Sequence, residues 1–262
     1  MRILMLGCGK MGGALLQRWS ADTPFQFTAL SPSGQRALPD GVRLVRGADE
    51  LADETFDAAV LAVKPQMVDE VLPRYVRFMS AGAPLLSIVA GTSCASLAVH
   101  APDAPLIRIM PNLPAAIGMG VSGVFAPKDT APEHIHLTET LLKPTGRMLR
   151  CESEDELDRI TAIAGSGPGF AFEIIRAWSE ATTGLGFDAD DSRDWILEML
   201  RGAVELARER GEPLDVLRRE VTSKNGTTAA GLAALNEDGL IDARLQTMLL
   251  AAYERAVELR SA

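Results

Sequence analysis

The 262-residue chain has little of what several large functional classes require. Its three cysteines, Cys8, Cys94 and Cys151, are odd in number and far apart. That excludes a disulfide framework, and no Cys-x-x-Cys pair is present to hold a metal or cycle redox state. The same usage points to a reducing compartment, with the cytoplasm as the expected address. No apolar run approaches the roughly 18 residues of a membrane span. Arg2 leads directly into Ile3-Leu4-Met5-Leu6, which is too short for a signal core and is expected to form a buried strand. Basic clusters are missing as well. The net charge is −9, and the adjacent Arg218 and Arg219 are followed by Glu220, as on a solvated helix face, so no nucleic-acid partner is expected. His134 and His136 stand two apart on a predicted helix and face different ways, and His100 precedes the helix-ending Pro102. None has a partner at ligand spacing, so no metal site is expected. Neither an internal repeat nor a low-complexity segment is evident.

What the chain does have is ordinary globular composition, 47% hydrophobic and 23% charged, enough for a substantial core in one or two domains. The first half alternates short apolar runs with helical stretches. Strands are predicted over residues 2–6, 25–30, 42–45, 58–62, 85–88, 106–110 and 121–125, and helices over 11–19, 68–79, 93–100 and 132–142. Strands apolar on both faces indicate a mostly parallel sheet covered by helices, an α/β fold. Beyond Cys151 the character changes. Glu152, Glu154, Asp155 and Glu156 mark a helix start, where carboxylates offset the dipole. Helices are then predicted over 157–163, 170–185, 191–210, 214–221, 227–235 and 242–260, punctuated by Gly184, Gly186, Gly211 and Pro213. The domain boundary is placed near 152, giving an α/β domain over 1–152 and an all-helical domain over 153–262. A helical domain of about 110 residues is marginal alone. Its Ala- and Leu-rich faces, with Trp178 and Trp195, pack either within the chain or against a second subunit.

Gly7, Cys8, Gly9, Lys10, Met11 and Gly12 follow the first strand and open the first helix, the context a G-x-G-x-x-G motif needs to bind a dinucleotide. Gly7 makes the tight turn, Gly9 admits a pyrophosphate against the backbone, and Gly12 lets helix and strand pack closely. The phosphates sit on the helix N-terminus. After the second strand an NAD enzyme tends to carry Asp or Glu for the ribose hydroxyls. Here the run is Leu30-Ser31-Pro32-Ser33-Gly34-Gln35-Arg36. Ser31, Ser33 and Arg36 suit a 2′-phosphate, or form an ordinary turn. NADP is therefore the expected cofactor, with NAD possible.

Several segments, taken in order, resemble the pyrroline-5-carboxylate reductase family. They are Ala62-Val63-Lys64-Pro65-Gln66, Ser87-Ile88-Val89-Ala90-Gly91, Arg108-Ile109-Met110-Pro111-Asn112-Leu113-Pro114-Ala115 and Ala164-Gly165-Ser166-Gly167-Pro168. The most specific is Val221-Thr222-Ser223-Lys224-Asn225-Gly226-Thr227-Thr228-Ala229-Ala230-Gly231-Leu232. Leu113 stands where the family usually has Thr, Lys224 and Asn225 where it has Pro and Gly, and Phe170 where Tyr is common. Asn225 tolerates a left-handed backbone better than most residues, which would preserve the turn.

The resemblance implies a Rossmann-type N-terminal domain and a C-terminal helical domain that forms a homodimer or a larger homo-oligomer. It implies that Ala62, Val63, Lys64 and Pro65 line the nicotinamide ribose, and that Val89, Ala90 and Gly91 lie along the cofactor. It also implies that Ser223, Gly226, Thr227 and Thr228 hold the substrate, the small cyclic imino acid 1-pyrroline-5-carboxylate, which the reaction reduces to L-proline. Imine reduction needs a hydride, an anchor and a proton, and the nicotinamide supplies the first. Exposed N–H groups at a helix start can anchor a carboxylate, and Thr228 is the candidate catalytic hydroxyl for the ring nitrogen. Because an imine can be protonated before hydride arrives, no strong acid or base is demanded. Helix capping is the other use of Ser223, Thr227 and Thr228. Two further readings stay open: a related imine or β-hydroxyacid reductase, for which Lys224 is the only lysine of the helical domain, and a non-catalytic dinucleotide sensor.

Overall fold

The computed structural model describes residues 1–32, 34 and 38–261. Eight strands form one sheet: β1 (Arg2–Leu6), β2 (Gln26–Leu30), β3 (Arg43–Val45), β4 (Ala58–Leu61), β5 (Leu85–Ser87), β6 (Leu106–Met110), β7 (Gly120–Phe125) and β8 (Gly146–Cys151). Their order is β3-β2-β1-β4-β5-β6-β7-β8. The first six are parallel and follow the doubly wound Rossmann order, so the expected α/β class is found. β7 then runs antiparallel to β6, and β8 parallel to β7. The sequence reading has no strand at 146–151.

Residues alternate across the sheet, as a two-residue period requires. Ile3 and Met5 enter one core with Leu15, Leu16 and Trp19 of α1 (Lys10–Asp22) and Leu137 and Leu141 of α4 (Pro132–Leu142). Leu4 and Leu6 enter the other with Leu72 and Tyr75 of α2 (Val68–Tyr75) and Leu97 of α3 (Cys94–Ala98). Every one of these side chains is under a tenth exposed, so helices cover both faces. The helix expected over 68–79 is found as α2, which runs through Pro73 to Tyr75, followed by three residues of tighter helix over Val76–Phe78.

The acidic start expected after Cys151 forms α5 (Glu154–Ile160), with the Ser153 hydroxyl accepting the Glu156 N–H. It continues into a π-helical turn, Thr161–Gly165. Beyond it lie α6 (Gly167–Thr183), α7 (Ala189–Arg210), α8 (Leu214–Glu220), α9 (Thr227–Leu235) and α10 (Leu240–Ser261). By packing, the chain has two compact units: Met1–Pro168 together with Ala251–Ala262, and Gly169–Leu250. In the first, the Tyr253 hydroxyl donates to Asp155 at 2.6 Å and Arg260 to Asp158 at 2.5 Å, tying the last turns of α10 to α5. The second unit carries an open apolar groove lined by Ile174, Trp178, Leu235, Ile241, Leu245 and Met248. Among the described residues, no helix is long and apolar enough to cross a membrane.

Candidate functional site

Parallel strands deliver their following loops to one sheet edge, and backbone hydrogen bonds align those loops here. The Gly7 N–H donates to Leu30 O at 3.2 Å, Ala62 N–H to Leu6 O at 2.8 Å, and Ile88 N–H to Leu61 O at 2.9 Å. Gly7 to Gly12, Ser31, Ala62 to Pro65, and Ala90 with Gly91 therefore leave the carboxyl ends of β1, β2, β4 and β5. These four strands are consecutive neighbours. Of the expected cofactor residues, Ser33 and Arg36 lie outside the described residues.

The three motif glycines answer to three different demands. Gly7 has φ +101°, and a Cβ there would stand 2.7 Å from the Ala62 carbonyl oxygen. Gly12 packs α1 on the strands: its Cβ would be 3.0 Å from both the Ala62 Cβ and the Met5 Cε. At Gly9 a Cβ would meet nothing within 4 Å among the described residues. The motif thus presses on the sheet at two glycines and, among the described residues, leaves room for a Cβ at the third, where a backbone approach to a pyrophosphate is needed. α1 has no acidic residue in its first turn to offset its positive end. Cys8 is buried and Met11 half-buried, whereas Lys10, Lys64 and Pro65 are exposed. Ala90 is exposed too, and Gly91 (φ +66°) packs so closely that a Cβ would stand 2.9 Å from the Leu259 carbonyl oxygen.

Two groups with a supporting place beside these loops lie in a segment that carries the resemblance but received no role from sequence. Arg108 of β6 is 2% exposed and donates from Nη1 to Glu154 Oε1 at 2.7 Å. The same oxygen accepts the Cys94 N–H at 2.9 Å, so one carboxylate ties β6, α5 and the loop carrying Gly91. The available signal was an arginine inside the otherwise apolar run Leu106-Ile107-Arg108-Ile109-Met110. Burial, with the Glu154 charge as a second cause, pushes the Cys94 thiol up to about 12. Cys94 is therefore a neutral thiol at neutral pH, unsuited to nucleophilic work. Asn112 is the second group. Its Nδ2 donates to Ala164 O at 2.9 Å and its Oδ1 accepts the Val121 N–H at 2.9 Å, pinning the π-helical turn to the β6–β7 connection.

In the other unit, Asn225 adopts φ +61°, so the left-handed turn expected of it forms without glycine. Gly226 then provides the N-cap of α9, with no side-chain hydrogen bond to the helix start. Capping by Ser223, Thr227 or Thr228 is thus not what the structure contains. Ser223 lies against the Gly226 α-carbon, where any larger residue would collide with its hydroxyl. Thr227 and Thr228 are the first two residues of α9, Thr227 exposed and Thr228 half-buried. Two adjacent hydroxyls thus stand on an uncapped helix start that carries no acidic residue, an arrangement suited to a small carboxylate.

Comparison with known proteins matches the two parts of the chain to two different family models. Residues 154–259 match the family model for pyrroline-5-carboxylate reductase dimerisation, and residues 2–91 the model described as NADP oxidoreductase, coenzyme F420-dependent. The chain is 33% identical to the pyrroline-5-carboxylate reductase of Vibrio alginolyticus, over 98% of this chain and 97% of that one. It superposes on the pyrroline-5-carboxylate reductase of Coxiella burnetii with TM-score 0.85 and 27% identity, covering 98% and 97% of the two chains. The pyrroline carboxylate reductase of Plasmodium falciparum, solved with NADP bound, gives TM-score 0.88 at 23% identity over 99% and 98%, a likeness of fold.

Proposed function

The chain belongs to the pyrroline-5-carboxylate reductase family, and on that premise we propose that it reduces 1-pyrroline-5-carboxylate to L-proline with NADPH. The observation that carries the substrate reading is the start of α9, where Thr227 and Thr228 follow an N-cap glycine that leaves the helix without a side-chain cap. Its backbone N–H groups bind the substrate carboxylate, and Ser223 shapes the turn before them. Thr228 hydrogen-bonds the ring nitrogen and orients the imine carbon, while the proton comes from water or from an imine already protonated in solution. The bound nicotinamide supplies the hydride. On the other side of the reaction, the Gly7 to Gly12 turn holds the pyrophosphate. Ala62 to Pro65 and Ala90 with Gly91 line the nicotinamide half, and Ser31 and Arg36 serve the 2′-phosphate of the adenosine ribose. The open α-carbon at Gly9, beside the tightly packed Gly7 and Gly12, supports this fit.

The functional division is taken at 152, with residues 1–152 serving the cofactor and 153–262 the substrate and self-association. Dimerisation, or assembly into larger homo-oligomers, buries the apolar groove of the helical unit, in line with the dimerisation model matched there. The cytoplasm is the proposed compartment. One assay tests the activity. On addition of 1-pyrroline-5-carboxylate, reduced-nicotinamide absorbance falls and proline appears in equal amount. NADPH binding without oxidation would instead favour a sensor.

A further inference from the structure

The strand order β3-β2-β1 sets the glycine turn after β1 and the end of β3 on opposite sides of the end of β2. In a dinucleotide whose pyrophosphate lies on that turn, the adenosine ribose lies over the end of β2. A substituent on the ribose that points away from the pyrophosphate next meets the residue leaving β3. That residue is Arg46.

Its placement is well defined. The Ser31 N–H donates to Val45 O at 3.0 Å, so Ser31 and Arg46 leave adjacent strands at one level. The Arg46 N–H donates to Glu50 Oε1 at 2.9 Å, which fixes the main chain. The side chain turns back over the β2 loop: a Cβ at Gly34 would stand 3.4 Å from Nη2, 3.6 Å from Nε and 3.7 Å from Cζ. Three such similar distances lay the guanidinium over the Gly34 α-carbon, where φ is +58°. Three positions earlier, Arg43 is engaged by the Glu54 carboxylate and the Glu50 carbonyl. Among the described residues, no hydrogen bond or ion pair engages the Arg46 guanidinium, and the residue is exposed. The result is an exposed cation anchored at its main chain, with its guanidinium unengaged among the described residues, beside the loop that follows β2.

Resting on the NADP reading above, we propose that Arg46 is a specificity-determining residue that binds the 2′-phosphate of NADPH. A planar fork of donors matches a phosphate dianion, while the hydroxyl of NADH offers it no charge.

The test is equilibrium binding to the intact protein, free of turnover. Dissociation constants for NADPH and NADH are measured by quenching of protein fluorescence, and those for 2′,5′-ADP and 5′-AMP by calorimetry, for wild type, Arg46→Gln and Arg46→Lys. With a charge-assisted hydrogen bond contributing about 1.5–3 kcal/mol, Arg46→Gln should weaken NADPH and 2′,5′-ADP by about 10- to 100-fold. NADH and 5′-AMP should stay within about twofold of wild type, and Arg46→Lys should fall between, keeping charge without the fork. Equal weakening of both members of each pair would assign Arg46 a structural role and overturn the proposal. So would unchanged NADPH binding. If wild type bound neither dinucleotide, the cofactor reading itself would fall, and this proposal with it.

Discussion

Glu154 offers the sharpest perturbation. Arg108 is 2% exposed, its Nε is buried without a partner, and its guanidinium is held by a carboxylate whose side chain is one-fifth exposed. Removing one member of a buried pair typically costs about 3–5 kcal/mol, chiefly because the other charge is left uncompensated. Water can reach the Glu154 side of the pair, which lowers the expectation for Glu154→Ala to about 2–4 kcal/mol. Glu154→Gln retains an acceptor for the Cys94 N–H and loses only the charge, so about 1–2 kcal/mol is expected. Arg108→Met combined with Glu154→Gln removes both charges and fills the space. That double variant should be more stable than the sum of its parts by at least about 1 kcal/mol. The assay is urea unfolding at one fixed protein concentration, because self-association contributes to apparent stability. The same carboxylate holds the loop carrying Gly91, so Glu154→Ala should also weaken NADPH binding severalfold. Additive single and double variants, or a loss under about 0.5 kcal/mol for Glu154→Ala, would refute the idea that this pair organises the sheet edge.

Three further outcomes are expected. Thr228→Ala should cut turnover at least about tenfold while NADPH affinity is unchanged, as loss of a positioned hydrogen bond predicts; unaltered steady-state kinetics would remove Thr228 from the mechanism. Asn225→Ala, forced to keep φ near +61°, should cost about 1–2 kcal/mol in urea unfolding, whereas Asn225→Gly should be neutral or slightly stabilising. The Cys94 thiol, pushed up to about 12, should resist iodoacetamide across pH 7–9, read by mass spectrometry. Because its folded pKa is raised, the folded state binds more protons, and stability present below the ordinary thiol range should fall as pH rises from about 9 towards 12. Cys94→Ala should flatten that fall.

The part of this protein written in local pattern was legible from the chain alone. An apolar run, three spaced glycines and a helix declare β1, the turn and α1, because turn chemistry and periodicity act over a few residues. Acidic residues after Ser153 announced α5 for the same reason, and the left-handed turn at Asn225 was expected from the family resemblance, which places Gly there. What tertiary structure alone decided are pairings between distant residues. β8 is six residues long with arginine at two positions, and it becomes a strand only because β7 supplies its partner. Asn112 finds the Ala164 carbonyl 52 residues away, and Arg108 finds Glu154 46 residues away. Arg46 faces Gly34 only because β3 lies beside β2. A chain's pattern states which faces must be buried; which polar groups then meet depends on strand order and register, set by the whole core at once.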